Sequence, residues 1–314
     1  MISLDWGAAT DVGRHRQVNE DSLLAMTPLF LVADGMGGHA AGEVASALTV
    51  DVFAALATIE AGITSSDVVA ALRTASEAIG RAAAASEGRT GMGTTAVGLA
   101  LVRDGEDESL CGFNVGDSRL YRVAGGRLEQ LSTDHSYVQE LIDRGELAPQ
   151  DARTHPQRNV ITRMLGGTEA VDPDVWLLAA VAGDRYVVCS DGLTGEVDDQ
   201  ALAATVTTER DPRVAARTLV EQALAGGGRD NISVIVVDVL RVDGSTDGAD
   251  TAPRVAEVMA EEITRPREGR AADVAAPEPR AGADLLSDVP WTIVDEASAA
   301  PPAEPVAMIN EVPL

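Results

Sequence analysis

The sequence of 314 residues contains no lysine, so arginine supplies its basic side chains. Without lysine there is no Walker-A motif, no kinase strand lysine and no residue for a Schiff base, which excludes NTPase, kinase and imine chemistry. The two cysteines, Cys111 and Cys189, are too few for a disulfide framework or a cysteine-rich zinc site. Neither is followed six residues later by an arginine, so a phosphate-binding cysteine loop is absent and both are predicted to be buried in strands.

Aromatic residues make up only 3% of the chain and hydrophobic residues 45%, so alanine, valine and leucine must form most of the core. The formal net charge of -26 disfavours nucleic acid and anionic membranes, and it repels anionic substrates unless a local cation reverses the field. No apolar stretch approaches the ~20 residues that span a bilayer, and the N-terminus lacks the pattern of a signal peptide. A cytoplasmic location is therefore expected.

The composition changes near residue 241. Residues 1–242 alternate apolar segments with turn signals and are predicted to form one compact domain. Residues 243–314 are rich in alanine, proline and acidic residues, which cannot bury enough apolar surface to fold, so a largely disordered acidic tail is predicted. Within this tail, a short helix at 255–263 and a docking segment at 288–294 are the alternatives to an unstructured chain.

Hydrophobic spacing within residues 1–242 predicts helices and strands in a mixed order. Apolar residues with a period near 3.6 predict helices at 41–60, 65–86, 135–144 and 212–224. Short apolar runs bounded by turn residues predict strands at 22–25, 29–33, 94–102, 110–115, 120–123, 128–131, 186–190 and 232–239. This order favours an α+β layered domain over alternating βαβ units.

Several of these strands begin or end at an aspartate beside a small turn residue. A single Asp-Gly pair is usually an ordinary turn, but carboxylates at the ends of neighbouring buried strands would converge and repel one another unless a cation binds. Mg²⁺ and Mn²⁺ take such oxygen ligands, and the four histidines show no zinc spacing. The residues thus indicate an oxygen-lined, two-metal hydrolase without naming a substrate. The aspartates concerned are Asp21, Asp34, Asp117, Asp191 and Asp230.

Eight short motifs, five of which contain these aspartates, stand in a recognisable order. They are RQVNEDS at 16–22, DGMGGHAAGE at 34–43, GTT at 93–95, NVGDSR at 114–119, DHS at 134–136, HP with NVITR at 155–163, SDGL at 190–193, and DN at 230–231. In this order the chain resembles the bacterial branch of the metal-dependent, type-2C protein serine/threonine phosphatase family (PPM). The resemblance covers residues 3–242, and the tail has no counterpart in the family core.

The resemblance implies a four-layer α-β-β-α sandwich, in which two mostly antiparallel central sheets are flanked by helices and the metals lie at one end. Asp34 would bridge both metals, and the Gly35 carbonyl, Asp191 and Asp230 would belong to one of them. Asp21 would bind the other metal, and Asp117 matches a third, weaker position that it shares with Asp191. The implied metals are Mn²⁺ or Mg²⁺.

Three further residues receive catalytic roles through the resemblance. Arg16 corresponds to the arginine that grips phosphate, and Glu20 would serve the second metal through water. His39 is a candidate general acid for the leaving oxygen, with a purely structural role in its glycine-rich loop as the alternative. Residues 140–162 correspond to the family's flap beside the active site.

The implied reaction is hydrolysis of phosphoserine and phosphothreonine in proteins by a metal-activated water that attacks phosphorus in line. The expected partners are phosphorylated proteins, among them serine/threonine kinases and their substrates, and the chain is expected to be a monomer. Two alternatives remain: a silent pseudophosphatase that only binds phosphoproteins, and a dedicated phosphatase in a partner-switching pathway.

Overall fold

The computed structural model describes residues 1–38, 41–59, 62–86, 89, 91–105, 108–167 and 170–243. His39 and the tail from residue 244 onward therefore lie outside the described residues, as do the two segments singled out within that tail. Within the described ranges, no helix is long and apolar enough to cross a membrane.

The strands form two antiparallel sheets. The first sheet has the order β1 (Ile2–Asp11), β11 (Ile232–Val242), β10 (Arg185–Cys189), β7 (Arg119–Ala124) and β8 (Arg127–Gln130). The second sheet has the order β2 (Asp21–Met26), β3 (Leu29–Met36), β5 (Ala96–Arg103), β6 (Glu108–Val115) and β9 (Asp174–Leu178), and the short β4 (Gly93–Thr94) pairs with β3.

Helices cover the outer faces of both sheets. Helices α1 (Ala41–Ala57) and α2 (Ser65–Ala84) pack on the second sheet, and α4 (Asp191–Thr194), α5 (Asp199–Thr208) and α6 (Pro212–Gly226) pack on the first. Helix α3 (Tyr137–Asp143) precedes a 3₁₀ helix, Pro149–Thr154, which lies within residues 140–162, the predicted flap. The four layers confirm the predicted α-β-β-α sandwich.

Strand β3 shows why its sequence is apolar throughout. Leu29 and Leu31 pack under the helices of the second sheet, whereas Phe30 and Val32 point into the layer between the sheets. Because successive side chains of a strand point to opposite faces, a strand buried on both faces needs apolar residues at every position. The cysteines follow the same rule: Cys111 and Cys189 are free and buried in β6 and β10, as predicted.

The predicted helices and strands are present with small shifts at their ends. Helix α3 begins at Tyr137, two residues later than predicted, because the Ser136 hydroxyl caps it by accepting the Gln139 N–H at 3.3 Å. Asp191 does not simply close a turn after β10, since it begins the short helix α4. The sequence patterns did not predict strands β1 and β9 or helix α5.

A buried arginine fastens α5 to the first sheet. Arg185 of β10, 8% exposed, donates to both carboxylate oxygens of Asp238 at 2.6 and 2.7 Å. It also donates to the carbonyls of Val206, Glu209 and Arg210 at the end of α5. The guanidinium thus satisfies the free carbonyls of a helix end that otherwise lacks intrahelical partners.

Replacement of Arg185 by methionine is expected to lower the free energy of unfolding by about 3 kcal/mol, because the partly buried carboxylate of Asp238 and the carbonyls at the end of α5 lose their partner. Urea unfolding measures the loss. The control is Arg213→Met, which removes the exposed ion pair between Arg213 and Asp5 and should cause a much smaller loss. Equal losses in the two variants would contradict the account.

Candidate metal centre

The five predicted aspartates meet at one end of the sandwich and come from both sheets. Asp21 and Asp34 stand directly opposite each other on β2 and β3 of the second sheet. Asp191 and Asp230 adjoin β10 and β11 of the first sheet. Asp117 lies in the connection that leaves β6 in the second sheet and enters β7 in the first.

Two carboxylates of this cluster are buried with an unpaired oxygen. Asp21 and Asp117 are each 8% exposed, and Oδ1 of each has no hydrogen-bond partner. Oδ2 of Asp21 accepts a hydrogen bond from the Ser190 hydroxyl at 2.8 Å. A buried polar atom without a partner is costly, and an ion pair or a metal ligand bond is the usual remedy.

The buried carboxylates of the cluster have raised pKa values. Burial raises the pKa of Asp21 to about 7 and that of Asp117 to about 8, and in each case the Asp191 carboxylate raises it further. Burial also raises the pKa of Asp34 well above its usual range, and the other four aspartates all add to that increase. The five carboxylates are therefore close enough to repel one another.

Burial raises the pKa of Asp191 as well, and the Asp230 carboxylate adds to the increase. Among the residues the structure describes, no three acidic, histidine or cysteine side chains are grouped so that they could hold a metal ion as they stand.

The backbone around Asp34 is held by threonines of the neighbouring strands. Its N–H donates to Thr95 Oγ1 at 3.0 Å, and its carbonyl accepts from Thr94 Oγ1 at 2.8 Å. Thr95 Oγ1 also pairs with Ser118 Oγ at 2.8 Å, next to Asp117. These buried contacts connect the positions of Asp34 and Asp117.

Gly35 sits where no side chain fits. A Cβ on Gly35 would lie 2.2 Å from the Gly42 carbonyl oxygen and 2.5 Å from that of Glu20. The Gly35 N–H donates to the same Glu20 carbonyl at 3.1 Å, and a Cβ on Gly42 would lie 2.7 Å from Glu20 Oε1. The first turn of α1 is therefore packed directly against Gly35 and Glu20.

Arg16 lies on an exposed loop and faces two acidic residues of the cluster. It donates to Glu20 Oε2 at 3.3 Å and to Asp230 Oδ2 at 2.8 Å, and its side chain is 44% exposed. Desolvation lowers the pKa of Arg16, but Asp230, Glu20 and Asp34 outweigh it and the pKa is raised. The guanidinium is thus held at the edge of the carboxylate cluster.

One residue that the sequence argument gave no role, Asn231, holds the loop that carries Arg16. Its Nδ2 donates to the carbonyls of Val12 and Val18 at 2.9 and 3.0 Å, and its Oδ1 accepts the Glu20 N–H at 2.9 Å. All three groups close the base of the loop 12–20. Position 231 in the DN motif was visible in the sequence, but its partners are more than 200 residues away.

The donors fit hard divalent cations. The cluster offers carboxylate oxygens, two of them buried and unpartnered, together with the tightly packed backbone at Gly35. Mg²⁺ and Mn²⁺ prefer oxygen ligands of this type, and the excess of negative charge favours them further. Fold and site together define a layered α+β protein with an acidic, oxygen-lined site between its two sheets.

Comparisons with known proteins agree with this description. Residues 13–226 match the family model "Protein phosphatase 2C", and the chain belongs to that family. The serine/threonine protein phosphatase PstP of Mycobacterium tuberculosis is 40% identical over 285 residues, which cover 85% of this chain and 53% of PstP. The chain thus spans about half the length of that relative. The serine/threonine phosphatase stp of Listeria welshimeri is 34% identical over 239 residues, or 73% of this chain and 93% of stp.

A solved structure gives the corresponding result. The catalytic domain of PstP in complex with two manganese ions superposes with a TM-score of 0.71 at 38% identity, and the match covers 77% of this chain and all of that domain. The phosphatase MsPP of Mycobacterium smegmatis in complex with cacodylate gives a TM-score of 0.68 at 36% identity, over 75% and 98% of the two chains.

Proposed function

We propose that this protein hydrolyses phosphoserine and phosphothreonine in proteins with the help of divalent metal ions. The buried aspartate cluster with unpartnered oxygens on Asp21 and Asp117 is the observation that carries the proposal. Membership of the protein phosphatase 2C family and the names of the relatives support the substrate class. Cysteine chemistry offers no competing explanation, because both thiols are buried in the packed layers.

The assignment of metal ligands follows the cluster. Asp34, the Gly35 carbonyl, Asp191 and Asp230 would hold one cation, and Asp34 with Asp21 and Glu20 the second. Asp117 and Asp191 would hold a third. The manganese ions in the related PstP domain support Mn²⁺, and Mg²⁺ has the same ligand preference. When bound, the cations would activate a water molecule and neutralise the charge of the phosphoryl oxygens.

The side chains of the protein would position the phosphoryl group and hold the metal ligands in place. Arg16 uses one N–H for each of its two acidic partners and keeps further donors free to reach a phosphate oxygen from its exposed side. Asn231 fixes the loop on which Arg16 stands. Burial and the four neighbouring aspartates raise the pKa of Asp34, so cations, which need the deprotonated carboxylate, compete with protons there.

Several finer assignments stay predictions. His39, the predicted general acid, lies outside the described residues. The same is true of the predicted acidic tail 243–314, except for Asp243. The phosphatase domain is proposed to comprise residues 1–242, since β11 ends at Val242. We also propose that the partners are phosphorylated kinases and their substrates, that the protein is a monomer, and that it is cytoplasmic.

Hydrolysis of a phosphothreonine peptide tests the function. We expect turnover with Mn²⁺, none with excess EDTA, and a loss of more than about 100-fold for Asp191→Asn in Mn²⁺, because a ligand costs more than the 10–100-fold typical of its supporting residues. Asp51→Asn is the matched control, since Asp51 lies on α1 and its pKa is raised by desolvation alone. Binding of the phosphopeptide without turnover under any metal would reject the enzyme and favour a pseudophosphatase.

A further inference from the structure

The connection that carries Asp117 is held from one side by a buried histidine. His135 is 6% exposed, and its Nδ1 accepts the Gly116 backbone N–H at 3.1 Å. The His135 N–H in turn donates to the Gly116 carbonyl at 2.9 Å. Asn114 Nδ2 donates to the same carbonyl at 3.1 Å, so both polar groups of Gly116 are bound.

Gly116 itself has little freedom. Its φ of +113° is one that residues with side chains rarely adopt, and a Cβ there would lie 2.5 Å from Thr95 Cγ2. The next residue, Asp117, has an unpartnered Oδ1. A shift of the Gly116 peptide would therefore move the Asp117 carboxylate directly.

The hydrogen bonds fix the tautomer of His135. A backbone N–H can only donate, so Nδ1 must be unprotonated and the ring hydrogen must lie on Nε2. Nε2 is 3.1 Å from Asp174 Oδ2, which accepts this hydrogen. Arg163 Nη1, which can only donate, lies 3.3 Å from Nε2 and donates to Asp174 Oδ1 at 3.1 Å. Asp174 thus orients the ring, as carboxylates orient the histidines of many active sites.

The other side of His135 binds the end of the flap. Its carbonyl accepts the Thr162 N–H at 2.8 Å, and the adjacent Tyr137 N–H donates to the Val160 carbonyl at 2.8 Å. Ser136 and Ile161 form an isolated β-bridge between these two contacts. One residue thus joins the flap to the connection that carries Asp117.

We propose that His135 is a positioning residue that, as the Nε2–H tautomer held by Asp174, fixes Gly116 and thereby aims Asp117 at its cation. The inference rests on the proposed function for its catalytic consequence. Its structural content, the tautomer and the bound Gly116 amide, does not depend on that function. His135 touches neither substrate nor metal in this proposal.

Two substitutions test separately the contact of Nδ1 with Gly116 and the contact of Nε2 with Asp174. In His135→Asn the side-chain oxygen takes the place of Nδ1 and can accept the Gly116 N–H, but the side chain is too short for Asp174. In His135→Gln the amide reaches toward Asp174, but the amide carbon Cδ, which cannot accept a hydrogen bond, occupies the level of Nδ1. Each variant therefore keeps one of the two contacts, and both new side chains end in the same carboxamide group.

The first measurement is made on the metal-free protein by NMR. We expect His135, identified by its loss in His135→Asn, to show a protonated Nε2 and an unprotonated Nδ1. Exchange of the Gly116 amide should stay slow in His135→Asn and rise about tenfold or more in His135→Gln. The opposite tautomer, or equal exchange in the two variants, would overturn the proposal even if the protein had no phosphatase activity.

The second measurement follows Mn²⁺. His135→Gln should raise the Mn²⁺ concentration for half-maximal activity, and weaken the weakest Mn²⁺ site in calorimetry, by about tenfold, with KM for the phosphopeptide unchanged. His135→Asn should remain close to the parent protein. In an Asp117→Asn background the His135→Gln change should add less than about twofold. A full effect in that background would show that His135 does not act through Asp117.

If His135→Gln does not fold, Asp174→Asn replaces it, because Asp174 lies on an exposed edge with its side chain 42% exposed. An asparagine amide can donate to Nε2 and so allow the Nδ1–H tautomer, which cannot accept from Gly116. We expect a mixture of tautomers and partly faster exchange of the Gly116 amide. A pure Nε2–H ring with unchanged exchange would contradict the role given to Asp174.

Discussion

The variant Asp34→Asn is expected to melt at a higher temperature than the parent protein when both are free of metal, and to gain no stability from Mn²⁺. Burial and four neighbouring carboxylates raise the pKa of Asp34, so a neutral amide removes the source of repulsion. We expect a gain on the order of 5 °C in EDTA at pH 8. Phosphatase activity should fall more than about 100-fold, since the amide is a poor ligand for two cations.

Differential scanning calorimetry with EDTA and with Mn²⁺ measures both effects. The parent protein should gain about 3 kcal/mol when Mn²⁺ is present at ~100 times its dissociation constant. Asp51→Asn should behave like the parent in both conditions, because no carboxylate contributes to the raised pKa of Asp51. A lower melting temperature for metal-free Asp34→Asn, or an unchanged Mn²⁺ response, would contradict the assignment of Asp34.

The second large effect is a loss of stability of the metal-free protein as pH rises from about 4 to about 8. In the folded chain the pKa of Asp21 is about 7 and that of Asp117 about 8, whereas an unfolded aspartate titrates near ~3.9. Between these values the folded state binds more protons than the unfolded state, so the free energy of unfolding falls with increasing pH. Asp21 alone would account for on the order of 4 kcal/mol over the whole range.

The opposite sign applies to carboxyls with lowered pKa values. Asp5, Glu108 and Asp174 stabilise the fold above the pKa of the unfolded chain and lose this contribution only at more acidic pH. Their titration therefore lies below the window in which Asp21 and Asp117 act. Thermal unfolding in EDTA across pH 4.5–8.5, a range chosen to cover about these pKa values, isolates the site.

Mn²⁺ should reverse the trend, because cations bind the deprotonated carboxylates and release their protons. The stabilisation by Mn²⁺ should therefore be larger at about pH 8 than at about pH 6. Calorimetric titration in two buffers of different ionisation enthalpy measures the protons released. A stability profile that is flat in EDTA and a titration without proton release would show that the cluster is ionised before metal binding.

The convergence of the five aspartates could be predicted because the pattern that marks each of them lies within a few residues of the sequence. Each stands beside glycine, serine or asparagine at the end of an apolar run, and the repetition of that pattern distinguishes a site from a turn. Strand β3 and helices α1 and α2 were predictable for the same reason, since their periodicity lies within the segment. The four-layer arrangement followed from the family resemblance and was confirmed.

The supporting contacts could not be predicted because they join distant segments. Ser190 meets Asp21, and Asn231 meets Val12 and Val18, only after β11 has paired between β1 and β10. Strand β1 was missed for the same reason: its mixed sequence pairs along its whole length with β11, more than 200 residues away. Arg185 likewise looks like an ordinary charged residue until α5 ends against it.

The distribution of the site over both sheets has a mechanical consequence. Asp21 and Asp34 belong to one sheet, Asp191 and Asp230 adjoin the other, and Asp117 lies on the chain that passes between them. Cations bound here would connect the two sheets at this end of the sandwich. Without cations, the repulsion between the carboxylates destabilises the contact between the sheets there. Metal loading would then govern how slowly this end of the sandwich opens, so the lifetime of the folded protein, and its resistance to proteases, would rise and fall with the supply of metal.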